Sequence, residues 1–458
     1  MLLDGRALDI DPSGAARYLV RARFVDAVGR PTDLVSGGDV EFVPSRGRAQ
    51  WQTRLRFGGP AAIISVFDDG PFVVSVHAEV GVHVPEARIE TDTRSWSVPR
   101  RVAKALGPHS VWIGWFPAPK SGAVRIVRRG GATSLWIATV SSPGNRFRDE
   151  SVVPGTTYRY DLVFPSGERT TLGVPVPAEA RHGTLGAFAG KGAWLSFSPS
   201  TFDDDGYDKL RPAAIVARAR AAGLHSIDLR TTYGPFREIT SDDAPAIDAL
   251  IDTAVARGVT LVAWTVPRST SFEDLEAEVA AAGYRTANGN GFAALAVDLE
   301  RGAYFMGSGA RGYAALAAYL RDLRAALGPR YPILATVEDP FLEHLTDASY
   351  PYEQIAEHAD ALQPMAYWRM MSRRATTPRD ARAAVAGSYA ATLHLAKRTL
   401  PVDVGLQSTS EGPHGAPSAS EIAAADSQSQ KLGAIGVTVF DWNGTPERVW
   451  RAVGNARW

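Results

Sequence analysis

The sequence predicts two N-terminal all-β sandwiches followed by a C-terminal (β/α)8 TIM barrel. Three observations predict it. The chain has 458 residues, enough for about three domains of ordinary size. Up to about residue 180, short alternating apolar runs recur, such as Val40 to Val43, Ala61 to Val66, Phe72 to Val76 and Val111 to Phe116. Gly, Pro, Asn and Asp punctuate them as in antiparallel sandwiches. From Gly183 onward the period changes, and eight apolar runs alternate with helical stretches, the count of a (β/α)8 barrel.

The strand rhythm breaks between Arg94 and Gly107, where Pro99 and a basic run of Arg100, Arg101 and Lys104 intervene. The expected domains are therefore 1–94, 95–182 and 183–458. The predicted barrel strands are Ala193–Ser198, Ser226–Leu229, Thr260–Trp264, Ala294–Leu299, Ile333–Val337, Ala361–Ala366, Val402–Leu406 and Gly436–Phe440. Between them, Gly312–Leu327 carries Tyr313, Leu316, Tyr319, Leu320, Leu323 and Leu327 at helical steps, and Pro212–Ala222 is closed by Gly223.

Composition narrows the function classes. Lys plus Arg and Asp plus Glu both number 49, and the basic residues are scattered along the chain, which argues against a nucleic-acid binder. No apolar run approaches the roughly 18 residues that span a bilayer. There is no cysteine, hence no disulfide, thiolate metal site or cysteine nucleophile. The start, Met1-Leu2-Leu3-Asp4-Gly5, shows no basic and then apolar signal pattern. The nine His are dispersed, and Asp203-Asp204-Asp205 lacks calcium-loop spacing and reads as an acidic helix start. Gly283 to Gly291 reads as the link into the fourth barrel strand rather than a phosphate loop. No metal and no cofactor are expected.

Barrel chemistry sits at the C-terminal ends of the strands. Those ends carry Asp228 and Arg230; Trp264; Asp298 and Glu300; Glu338 and Asp339; Gln363, Tyr367 and Trp368; Gln407; and Asp441 and Trp442. The four aromatic residues Trp264, Tyr367, Trp368 and Trp442 would suit the C–H faces of sugar rings. Asp298 and Glu300 are two apart on one strand, so both point inward. Two close carboxyls repel when both are ionised, one pKa rises, and a raised acid beside an ionised partner can protonate a glycosidic oxygen. Their structural alternative is an ion pair with Arg230, Arg268 or Arg301.

Several of these segments resemble known families. Phe24 to Pro31 followed by Gly37 to Phe42 is similar to bacterial immunoglobulin-like modules. Val111-Trp112-Ile113-Gly114-Trp115 with Pro154-Gly155-Thr156-Thr157-Tyr158-Arg159-Tyr160 resembles a fibronectin type III module. Core packing is the simpler reading of Trp112, Trp115 and Tyr158, with a sugar platform as the alternative. Ala294 to Glu300 resembles the end of the D-x-x-D-x-D-x-E signature of family 18 glycoside hydrolases, with Ala293 and Ala296 where the family has its first two aspartates. Met365-Ala366-Tyr367 is similar to that family's Met-x-Tyr, with Trp368 replacing the usual Asp, and Trp442 matches its strand-8 Trp. A more distant likeness to family 25 lysozymes rests on the same Asp-x-Glu.

The resemblance implies a glycoside hydrolase acting on a polysaccharide. It implies Glu300 as general acid, Asp298 orienting a substrate 2-acetamido group as the nucleophile, Tyr367 bonding that group and Trp442 as the sugar floor. From the strand ends, Trp264, Trp368, Asp228, Arg230, Gln363, Gln407 and Asp441 are the expected substrate contacts, with a structural ion pair as the alternative for Asp228 and Arg230. A retaining clan with glutamates on strands 4 and 7 fits less well, because strand 7 ends in Gln407 and Glu411 follows only in a loop. Two other readings stay open. Glu300 could work with a second carboxylate, Glu338, Asp339 or Asp441. The barrel could also bind glycan without cutting it, as a cell-envelope protein. Extracellular or envelope location is the expectation from this architecture.

Overall fold

The computed structural model describes the backbone of six strands between residues 18 and 93. From residue 100 onward it describes all but 117, 131–132, 197–210, 235, 240–242, 271, 303–304, 308, 372–375, 411–413 and 457. The Asp203 to Asp205 run and Glu411 lie outside the described residues, as do the side chains of the immunoglobulin-like segment. The six strands are β1 (Tyr18–Asp26), β2 (Asp39–Phe42), β3 (Trp51–Arg56), β4 (Ala61–Asp68), β5 (Val74–Val80) and β6 (Ala87–Thr93). They form two antiparallel three-stranded sheets, β2-β1-β6 and β3-β4-β5.

Seven strands follow: β7 (Arg100–Ala105), β8 (Val111–Phe116), β9 (Ala123–Gly130), β10 (Thr133–Ser141), β11 (Arg146–Asp149), β12 (Thr157–Val163) and β13 (Arg169–Pro175). They pair as a three-stranded sheet, β11-β8-β7, and a four-stranded sheet, β10-β9-β12-β13. Alternation decides which residues face inward. Val111, Ile113 and Trp115 of β8, Val124 and Ile126 of β9, and Tyr158, Tyr160 and Leu162 of β12 share one core. Trp115 and Tyr158 are thus packing residues. The Tyr160 hydroxyl donates to Asp149 at 2.9 Å, and Arg128 binds the same carboxylate at 2.8 Å, so the buried charge is paired.

The rest is the barrel. Its strands are β14 (Gly190–Leu195), β15 (Ser226–Tyr233), β17 (Thr260–Val266), β18 (Ala294–Leu299), β19 (Ile333–Val337), β20 (Ala361–Ala366), β21 (Asp403–Gln407) and β22 (Gly436–Phe440), with β16 (Phe236–Arg237) a short antiparallel return on β15. All eight pair in parallel in chain order. β14 bonds both β22 and β15, which closes the ring. Four predicted strands, β18, β19, β20 and β22, match to the residue. The first runs three residues earlier than expected, because Gly190 to Gly192 pair with β22 before the apolar run begins.

The surrounding helices are α1 (Pro212–Ala221), α2 (Ala244–Ala256), α3 (Phe272–Ala282), α4 (Gly309–Leu327), α5 (Tyr352–Ala356), α6 (Trp368–Met371), α7 (Pro378–Ala396), α8 (Ala419–Lys431) and α9 (Glu447–Asn455). Reciprocal caps start two of them: Thr377 with Asp380 on α7, and Ser418 with Glu421 on α8. Inside the ring, Phe188, Val262, Ala294, Ala296, Leu334 and Ala361 form an apolar floor.

The two sheets of β7 to β13 are not merely strung before the barrel. Leu106, in the turn between β7 and β8, is buried in the same core as the barrel helices. The His109 N–H donates to Ala326 O at 3.3 Å, and ion pairs join Lys104 to Glu276 at 3.0 Å and Arg148 to Asp322 at 2.8 Å. Gly107 has φ +92°, and a Cβ there would stand 2.8 Å from Ala326 O. Leu106→Ala should destabilise the barrel itself by about 2–4 kcal/mol. Urea unfolding followed by tryptophan fluorescence checks this, and an unmoved barrel transition would show that the joint carries no load.

Candidate active site

The mouth is built from the last inward positions of the strands. Trp194 of β14, Trp264 and Val266 of β17, and Met365 of β20 with Tyr367 just beyond it form one buried cluster, with Tyr233 and Phe440 packed against it. Tyr367 stacks on Phe440 with ring centroids 5.5 Å apart and 25° between planes. Trp194 meets Phe440 edge-on at 5.7 Å and lies 6.3 Å from Trp264.

Against this aromatic wall stand the carboxylates. Asp298 is 7% exposed and accepts the Trp264 indole N–H at 3.2 Å through Oδ2. Its Oδ1 is buried without a hydrogen-bond partner among the described residues. Glu300 follows β18 and keeps the same inward parity. The ladder pairs Asp298 with Thr336 and Leu299 with Val337, so the next step sets Glu300 beside Glu338. Glu338 accepts the Arg301 backbone N–H at 2.9 Å and pairs with its guanidinium at 3.3 Å. The same guanidinium reaches Glu343.

This crowding sets the protonation states. Burial, then the charges of Asp298, Glu338 and Glu343, pushes the Glu300 carboxyl up to about 9. Burial also raises Asp298, and Glu338 adds to it; the Trp264 N–H and the Arg230 charge pull the other way. Burial and Glu338 likewise push Glu343 up to about 8, with Arg301 opposing. At neutral pH the site therefore holds a protonated Glu300 above an acid poised to ionise, the division of labour that proton transfer to a leaving group needs.

Other expected site residues are placed elsewhere. Trp368 opens α6 and is fully buried, donating its N–H to Glu421 of α8 at 3.1 Å. Since Tyr367 faces the mouth, its neighbour must face the helices. Trp442 lies past the end of β22; its backbone N–H is held by Trp194 O at 2.7 Å, and its ring packs on Trp450 of α9 at 5.0 Å. The aromatic residue that β22 gives to the mouth is Phe440. Asp228 and Gln363 sit lower, in a fully enclosed polar layer. There Gln363 accepts from Thr336 at 2.6 Å and donates to Asp403, which also accepts from Thr438 at 2.6 Å. Burial and the Asp403 charge hold Asp228 well above its ordinary range.

Gln407 is buried, and its carboxamide oxygen accepts the N–H groups of Arg369 at 3.1 Å and Met370 at 2.9 Å, fixing the turn into α6. Asp339 accepts from Phe341 and Leu342 N–H at 2.9 and 2.8 Å, and Asp441 from Gly444 N–H at 2.7 Å; both brace turns. Arg230 remains at the mouth, 5.6 Å over the Trp264 ring, with its Nε on Glu238 at 2.7 Å. Trp194, Phe440 and Glu343 belong to the site and were not read from the sequence, and Arg301, read as an ion-pair partner of Asp298 or Glu300, pairs with Glu338 and Glu343 instead. Continuing the inward alternation back from Ser196 and forward from Thr438 would have found the first two. Among the described residues, no group of three or more His, Asp or Glu could hold a metal ion.

Because Glu300 holds its proton in the fold up to about 9 against an ordinary 4.5, its contribution to stability falls as pH rises between those values. Glu300→Gln should therefore raise the barrel Tm by about 3–6 °C at pH 8 and leave it nearly unchanged at pH 4, where both forms are neutral. Scanning calorimetry at the two pH values checks it, and an equal shift at both would mean that the carboxyl titrates normally.

No family model matches the sequence, and no curated protein matches it. Solved structures that are similar to it include family 18 chitinases. The GH18 chitinase from Cycas revoluta in complex with (GlcNAc)3 is 12% identical, over 58% of this chain and 99% of that one, with a TM-score of 0.42. The chitinase-like agglutinin of Robinia pseudoacacia is 14% identical over 58% and 98%, with a TM-score of 0.38. The spore cortex-lytic enzyme SleL of Bacillus megaterium is 10% identical over 64% and 77%, with a TM-score of 0.40.

Proposed function

We propose that the chain is a glycoside hydrolase that cuts a polysaccharide bearing 2-acetamido sugars, with Glu300 as the general acid. The observation that carries this is the Asp298–Glu300 pair at the barrel mouth, one carboxyl kept protonated and the other fixed by Trp264 with an oxygen to spare. Glu300 donates its proton to the leaving oxygen. The free Oδ1 of Asp298 accepts the acetamide N–H and turns the acetamide oxygen toward the anomeric carbon, so that the substrate supplies its own nucleophile. Tyr367 lines the acetamide side. The stacked face of Phe440 and the indoles of Trp194 and Trp264 take the role first given to Trp442.

A protein nucleophile is less well supported. Glu338 is committed to Arg301, while Asp339 and Asp441 brace turns. A second reading, glycan binding without cleavage, draws on Ala296. It stands beneath Asp298 in the apolar floor, where the family pattern has an aspartate. The fibronectin type III reading of 95–182 is supported by the three-plus-four strand order, and export by that architecture.

The two readings part in one experiment. Wild type should hydrolyse N-acetylglucosamine oligomers and spare unsubstituted glucose oligomers. Glu300→Gln should lose 10²-fold or more of that rate, roughly what a positioned general acid supplies, with KM little changed. Cleavage of glucose oligomers would remove the acetamido mechanism; binding without turnover would establish the second reading.

A further inference from the structure

The outer face of the four-stranded sheet β10-β9-β12-β13 breaks a rule of sheet stability. Pairing places Arg129 of β9 directly opposite Arg159 of β12, and Arg125 and Arg169 flank Val163 two rows along. Like charges directly opposite repel and weaken a sheet. The one acid on the face, Asp161, is already paired with Arg129 and accepts from Thr171 at 2.6 Å. Among the described residues, no carboxylate pairs with Arg125, Arg159 or Arg169, and all three side chains are exposed. A chain of zero net charge thus gathers an uncompensated basic field on one flat surface.

The same face carries Trp136 of the edge strand β10, in the row of Val127, Asp161 and Thr171. It is 64% exposed, whereas Trp112 is half-buried and Trp115 is buried. Its indole N–H is used by Ala138 O at 2.8 Å, which holds the ring along its own strand and leaves the ring face to solvent. A pinned, exposed ring face suits the C–H surface of a sugar. Guanidinium groups around it suit carboxylate or sulfate substituents, which they bind in bidentate fashion. Single-stranded nucleic acid instead takes a succession of aromatic platforms, and this face has one.

We infer that the outer face of this sheet docks an acidic polysaccharide, with Trp136 stacking on a sugar ring and Arg125, Arg159 and Arg169 meeting its anionic groups. The inference stands apart from cleavage at the barrel mouth. It explains the misplaced charge pair as a sacrifice of stability for a ligand.

The test is titration calorimetry of the full chain with polygalacturonate, with neutral dextran and a single-stranded DNA oligomer as comparisons. Polygalacturonate should bind with an affinity that falls steeply with salt, and dextran should not bind. Arg159→Gln and Arg125→Gln should each weaken binding by about tenfold, the loss expected for a charge-assisted contact. Arg159→Gln should also raise Tm, because it relieves the repulsion with Arg129. Trp136→Ala should weaken binding while leaving Tm unchanged, and Glu300→Gln should bind as wild type does. Wild-type affinity in the arginine variants, or no binding by the wild type, overturns the inference. DNA binding tighter than polygalacturonate would replace the ligand with nucleic acid, and loss of binding in Glu300→Gln would move the site to the barrel mouth.

Discussion

Closure of the parallel ring is the constraint on which everything at the mouth depends. β14 hydrogen-bonds β22 on one side and β15 on the other, so no strand end is free to shift alone. With side chains alternating along every strand, that closure dictates which residues share a height inside the barrel. Asp298 lands beside Trp264, Glu300 beside Glu338, and the polar layer of Asp403, Gln363 and Thr438 lands below them. A one-residue slip of β18 would turn both carboxyls toward the helices. The register is therefore part of the chemistry.

Desolvation is the second determinant. Water would leave Asp298 and Glu300 as ordinary, ionised carboxylates. Enclosure by Trp194, Trp264 and Tyr367, with the neighbouring acids, makes the charged form costly. Arg301 keeps this from becoming untenable: it pairs with Glu338 and Glu343, the two acids that flank Asp298 and Glu300. The buried Asp228 and Asp403, stacked under the mouth, follow the same logic without access to a substrate.

Continuous apolar runs such as Ala294–Leu299 and Ile333–Val337 made the barrel legible in the sequence, since strands buried on both faces read that way. Parity was harder to read. Trp368 and Trp442 each sit two residues beyond their strand ends, where the chain turns toward the helices. Both were drawn into the helix layer by partners on helices, Trp368 by Glu421 of α8 and Trp442 by Trp450 of α9. Trp194 lay within the predicted first strand, but that strand ends earlier than expected, so the mouth is met at Trp194 rather than at the Ser196 to Ser198 end. The four arginines of the outer sheet looked scattered in the sequence. Their spacing along the chain says nothing of the pairing that brings Arg129 against Arg159.

The joint at Leu106 has a consequence for how the two halves would cooperate. A module on a flexible linker delivers a bound chain to a catalytic site at a local concentration that the linker dilutes, because the module wanders. Here the turn between β7 and β8 is sunk into the barrel's own core and braced by Arg148 and Lys104. The sheet and the mouth are thus joined through packed and paired residues rather than through a linker. If both proposed sites took one polymer, such a body would act as a ruler: a long, stiff chain gripped at the sheet would meet the mouth at a set number of residues along its length.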